Sequence, residues 1–94
     1  MRTLVWSTSF KRAFKQLARQ HPQLKRKAQR AFEQLSEDPF HASLHTHKLK
    51  GKLAGSWACS VDYDTRMVFD FTRNPKSGED EILLLTLGTH DEVY

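Results

Sequence analysis

Four residue types in this chain can do acid–base or phosphate chemistry, and their spacing is uneven. At the far end, LLLTLGTHDEVY (83–94) reads as an apolar strand that stops at Gly88, followed at once by His90, with an aromatic residue, Tyr94, four positions later. This spacing puts a titratable group at the mouth of a sheet. Imidazole, with an unperturbed pKa of about 6.5, gives or takes a proton near neutral pH. An aromatic close by can stack on a base or pack over a substrate. Three more histidines, His41, His45 and His47, crowd a polar stretch that continues into Lys48, Lys50 and Lys52, and a further segment holds Asp62, Asp64 and Arg66. The histidine spacing fits no common zinc pattern and no cysteine lies beside it, so no metal site is expected.

Charge is unevenly distributed. Residues 1–60 hold 12 Lys and Arg against three acids, whereas residues 61–94 hold three against eight, giving the net +4 of the whole. A surface this basic attracts and steers a polyanion or an acidic protein. Ninety-four residues allow one core and one domain, 1–94. Cys59 is the sole cysteine. It excludes an intrachain disulfide and a Cys-rich zinc site, and within SWACSVDY it is expected to pack as a small apolar residue rather than act as a nucleophile. No apolar signal-like segment opens the chain and no apolar run is long enough to span a membrane, so a cytoplasmic protein without a membrane partner is expected.

The positioning elements follow from periodicity. Thr3 to Trp6 favours a strand, and Ser7 is placed to cap a helix whose stripe is Phe10, Ala13, Phe14, Leu17 and Ala18, with Lys11, Arg12, Lys15 and Arg19 turned away. His21-Pro22 breaks the helix for two residues and starts a second, striped by Leu24, Ala28, Ala31, Phe32 and Leu35 and stopped by Asp38-Pro39. Residues 39–55 read as a polar connection. Beyond it the period falls to two: Trp57, Cys59, Val61 and Tyr63 on one face of a hairpin, Met67, Phe69 and Phe71 on its second arm, then a turn at Asn74 to Gly78 and a central strand from Ile82 to Leu87. The predicted fold class is α+β: an N-terminal strand, a two-helix hairpin, then antiparallel strands, with both helices on one sheet face. The other face carries Ser60, Asp62, Asp64 and Arg66 and is expected to be the accessible, charged one.

Taken in order, Ser7 to Phe10 opening the helical hairpin, HKLKGKLAGSW (47–57), SVDYDTRMVF (60–69) and LGTHDEVY (87–94) resemble the RelE/ParE superfamily of bacterial toxins, and within it the YafQ-like messenger-RNA endonucleases. The resemblance implies the toxin of a type II toxin–antitoxin pair, held inactive by a cognate antitoxin in a complex of higher order. It further implies metal-independent cutting of messenger RNA in the ribosomal A site, with no cofactor. By the same resemblance His90 in GTH is the general acid, Tyr94 helps position RNA, and His47 opens the corresponding loop. Asp62 or Asp64 matches an acidic hairpin position, where YafQ-like proteins can have a second histidine absent here. Arg66 looks like the arginine that stabilises phosphate charge. RelE lacks the histidine found here at His90, which points to the YafQ-like branch, and the basic residue often found near position 60 is replaced by Ser60.

Metal-free RNA cleavage needs a base for the 2′-OH proton, positive charge for the transition state, an acid for the leaving 5′-oxygen, and in-line positioning. The candidates are His47 or Asp64 as base, Arg66 with Lys48 or Lys50 as charge, His90 as acid and Tyr94 as stacking platform. Lys48, Lys50, Lys52 and Asp62 complete the expected RNA-binding set. Each has a structural competitor: a turn for Asp62 and Asp64, an ion pair with one of them for Arg66, solvation or antitoxin contact for the lysines. Two other functions fit the same chain. One is a ParE-like toxin that inhibits DNA gyrase without cleaving anything, and the other is a non-toxic nucleic-acid or antitoxin-binding module.

Overall fold

The computed structural model describes residues 2–89, so His90 and Tyr94 lie outside the described residues. Strand β1 (Thr3–Trp6) leads into helix α1 (Thr8–Gln20) and helix α2 (Pro22–Glu37). Strand β2 (His47–Lys48) is flanked by two 3-10 turns, and β3 (Trp57–Ser60), β4 (Thr65–Arg73) and β5 (Asp80–Thr89) follow. The sheet order is β1-β5-β4-β3-β2, with β1 parallel to β5 and every other neighbour antiparallel. The fold is α+β with a mixed sheet.

Local chemistry sets the helix boundaries. The Ser7 hydroxyl accepts a hydrogen bond from the Phe10 backbone N–H at 3.1 Å, satisfying one donor that the first turn leaves open. Only His21 stands between the helices, where a break of two residues was expected: Pro22 fits the first helical position of α2 without losing a hydrogen bond. The helices close over one sheet face. Phe10, Leu17, Leu24, Ala31 and Leu35 meet Cys59, Met67, Phe69, Ile82, Leu84 and Leu87 there. Trp6 lies within 4.9 to 5.3 Å of the rings of Phe10, Phe14 and Phe32 and closes the β1 end of this core.

Three expectations change. Leu85, inside the strand expected to run unbroken from Ile82 to Leu87, sits at a bulge: Leu84 pairs with Phe69 and Thr86 with Val68, so one residue of β5 has no opposite number. Before the bulge Ile82 and Leu84 face the helices, after it Leu87 does, and the Leu85 carbonyl accepts the Ser9 hydroxyl at 2.8 Å. Second, β3 ends at Ser60, and Val61 to Asp64 form the hairpin turn rather than strand. Third, the face away from the helices is not simply exposed, because Ala58 and Val68 on it are buried. The 39–55 connection is also less irregular than its composition suggests, since it contains the edge strand β2.

Candidate active site

The hairpin turn between β3 and β4 is built by two of the candidate residues. Asp62 Oδ1 accepts the backbone N–H groups of Asp64 at 3.0 Å and Thr65 at 2.8 Å, an Asx turn that ends β3. Its other oxygen lies 3.7 Å from Lys27 Nζ on α2. Partial burial works against the charged carboxylate, but the Thr65 and Asp64 donors and the Lys27 charge outweigh it and hold Asp62 below the usual carboxylate range. Arg66 is held by the same turn. Its Nη1 donates to the carbonyls of Asp62 at 2.9 Å, Tyr63 at 3.0 Å and Thr65 at 3.3 Å. Among the described residues no aspartate forms the expected ion pair with Arg66; main-chain oxygens orient the guanidinium instead. A guanidinium fixed this way can meet a phosphate without first reorganising.

His47 arrives from the sheet edge. In β2 it pairs with Ala58 and so shares the face of Ser60 and Arg66, whereas Lys48 pairs with Trp57 on the other face. His45 just before it has φ 50° and ψ 41°, the left-handed region that few residues but His, Asn and Asp enter without glycine. That bend brings the His45 carbonyl within 2.9 Å of His47 Nδ1. A carbonyl can only accept, so Nδ1 carries hydrogen and the neutral ring has its lone pair on Nε2, the form able to take a proton.

These residues meet around one cleft of about 600 Å³, lined by His45, His47, Ser60, Asp62, Tyr63 and Arg66, with Ser43 and Val61 beside them. A second cleft of about 450 Å³ contains Lys48, Lys50 and Lys52 and shares His47 as a wall. The structure therefore brings His47, Asp62 and Arg66 together and sets the lysines next to them. Asp64 is exposed and does not line the cleft. Tyr63, which alternation placed facing the core, is instead 97% exposed at the turn, an aromatic wall that strand periodicity could not find because the strand ends three residues earlier. Ser43 and His45 were also missed; the H-x-H spacing of 45 and 47 was the only signal. Thr89, the residue before His90, pairs with Thr65, and Gly88 with Arg66, so β5 runs to the hairpin end of the sheet that carries this cleft. Burial pushes the Cys59 thiol up to about 12 against a weaker opposing pull from Arg66, which rules out a thiolate nucleophile near neutral pH. Among the described residues no three metal-ligating side chains come together.

Solved structures similar to this one include bacterial toxins. A toxin from Helicobacter pylori, solved with bound metal, matches over 100% of both chains at 26% identity and a TM-score of 0.76. YafQ from E. coli strain BL21(DE3) matches over 100% of this chain and 99% of its own at 19% identity and a TM-score of 0.78. The E. coli DinJ–YafQ complex matches with the same coverage at 18% identity and 0.76. No curated protein matches significantly. The family described as "Bacterial toxin of type II toxin-antitoxin system, YafQ" matches residues 2–94, and the chain belongs to that family of toxins.

Proposed function

We propose that this toxin is an endoribonuclease that cuts messenger RNA on the ribosome by metal-independent acid–base chemistry and is neutralised by a cognate antitoxin. The observation that carries the reading is the meeting, on one cleft, of an imidazole whose Nδ1–H is fixed on a carbonyl and a guanidinium whose orientation is fixed by a turn. His47 Nε2 takes the 2′-OH proton. The freed oxygen attacks the adjacent phosphorus in line, and Arg66 stabilises the charge that grows on the phosphoryl oxygens. His90 protonates the departing 5′-oxygen, leaving a 2′,3′-cyclic phosphate and a 5′-hydroxyl. Asp62 holds the turn on which Arg66 is mounted. Tyr63 and Tyr94 offer base-stacking surfaces, and Lys50 and Lys52 extend positive charge from the His47 wall. Asp64 is the weaker candidate for base, because it does not line the cleft. The DinJ–YafQ complex supports an antitoxin as partner here too.

His90→Ala and His47→Ala test the assignment. Each should lower transcript cleavage by about 10²- to 10⁴-fold and abolish growth arrest, with the melting transition unchanged. Arrest without transcript cleavage in the wild type would instead support a gyrase-directed toxin.

A further inference from the structure

A second surface, separate from the cleft, has the chemistry of a nucleobase platform. Phe40 is 57% exposed, and its ring stacks on Phe71 at 5.7 Å and 25° and meets Trp57 edge-on at 5.4 Å. The Asp38 carboxylate accepts the Phe40 backbone N–H at 3.2 Å, so the loop presenting the ring is fixed. Cations sit on these rings: the Arg2 guanidinium lies 4.9 Å from the centre of Phe71, and Lys48 Nζ lies 5.4 Å from that of Trp57. Arg2 and Arg73 border a cleft of about 410 Å³ over these rings, whose one acid among the described residues, Asp80, is 3.5 Å from Arg73, and Lys48 stands beside it on the Trp57 ring. That size is within the range of ligand clefts, about 300–1,000 Å³.

We infer that this platform is a second RNA contact, in which a base of a single strand stacks on the outer face of Phe40 while Arg2 and Lys48 hold the flanking phosphates. Charge favours RNA over a peptide: Asp80 is already engaged by Arg73, and among the described residues neither Arg2 nor Lys48 has a carboxylate partner, which sets cations next to flat π surfaces, the combination that binds single strands without sequence preference. The topology joins the two surfaces. His47 and Lys48 are adjacent in β2 at the sheet edge, one facing the cleft and the other the platform, so a strand crossing that edge touches both. The inference rests on the reading of the chain as an RNA-cutting toxin and adds a contact that the cutting chemistry does not require.

Binding of a 2′-O-methyl oligoadenylate of about ten nucleotides, which cannot be cut, tests it across a salt series. Phe40→Ala should weaken binding about 5- to 150-fold with an unchanged salt slope, and Lys48→Ala should flatten the slope by about 0.7. If Phe40→Ala fails to fold, Phe40→Leu, which keeps apolar bulk without a stacking face, carries the same expectation. Wild-type affinity and slope in both variants would overturn the inference, as would intact oligomer binding with loss of the antitoxin complex, which would make the platform a protein interface. A wild type that binds the oligomer but leaves the unmodified RNA uncut would sink the nuclease reading and leave the platform standing.

Discussion

Arg66→Lys separates charge from geometry at the centre of the cleft. The native guanidinium uses Nη1 on three carbonyls at 2.9 to 3.3 Å, which aims the rest of the fork. Lysine keeps one positive charge but has no planar fork, so it cannot satisfy those carbonyls and present aligned donors to a phosphate together. Removing an aligned donor to transition-state charge costs about 10² to 10³ in kcat, or about 2.7–4 kcal/mol. Arg66→Ala should lose about that much. Arg66→Lys should recover less than a tenth of the lost rate. The turn loses charge-assisted bonds, worth about 1.5–3 kcal/mol in sum at this partly exposed site once solvent screening is allowed for. Single-turnover cleavage of a synthetic transcript, measured beside thermal unfolding, reads both. Full activity in Arg66→Lys would refute the argument that the turn-held fork matters, and full activity in Arg66→Ala would remove Arg66 from the chemistry.

Asp62→Ala should lower stability by about 1–3 kcal/mol through loss of two backbone hydrogen bonds. Because its folded pKa is depressed, the native carboxylate's contribution is present above the ordinary aspartate range, near 3.9, and lost as pH falls through the lower folded value. The stability difference between wild type and variant should therefore shrink below about pH 4, and a pH-independent difference would contradict the turn assignment. Lys50→Ala with Lys52→Ala should flatten the salt dependence of RNA binding by about 0.7 per lost phosphate contact; an unchanged slope would assign both lysines to solvent or antitoxin. Phe69→Ala, fully buried between sheet and helices, should cost about 3–5 kcal/mol in denaturant unfolding, and an unchanged midpoint would refute the core packing. Cys59, with its thiol near 12, should resist alkylation in the native state at pH 8 and react on unfolding; rapid native labelling would show that it is not buried.

The helices were legible because their signals are local: a cap at Ser7, a proline at 22, and apolar stripes of period 3.6. The layer order followed from those stripes. What sequence could not supply is what depends on long-range register. The slip at Leu85 requires β4 beside β5, and ILLLTL reads equally well in either phase. Alternation puts Tyr63 on the face of Trp57, Cys59 and Val61, because it carries on through residues that a carboxylate, Asp62, folds into a turn. Of the site, His47, Asp62 and Arg66 are marked by residue type together with the family resemblance, and the structure gathers them around one cleft; that Asp62 serves the turn and Arg66 is aimed by carbonyls needed coordinates. Lys48, Lys50 and Lys52, grouped by spacing, share one cleft, and β2 also lays Lys48 over the Trp57 ring, which spacing does not show. His90 remains the residue that the family motif marks as acid, and it lies outside the described residues.

The central claim is acid–base cleavage by this cleft, and the chemical ends of the cut RNA test it most directly. Transcripts engaged on ribosomes should be incubated with purified toxin in the presence of a chelator and their new ends identified. The account predicts 5′-hydroxyl ends paired with 2′,3′-cyclic or opened phosphates, formed by the wild type and lost in His47→Ala and His90→Ala. New 5′-phosphate and 3′-hydroxyl ends, or cleavage that stops with the chelator, would contradict it.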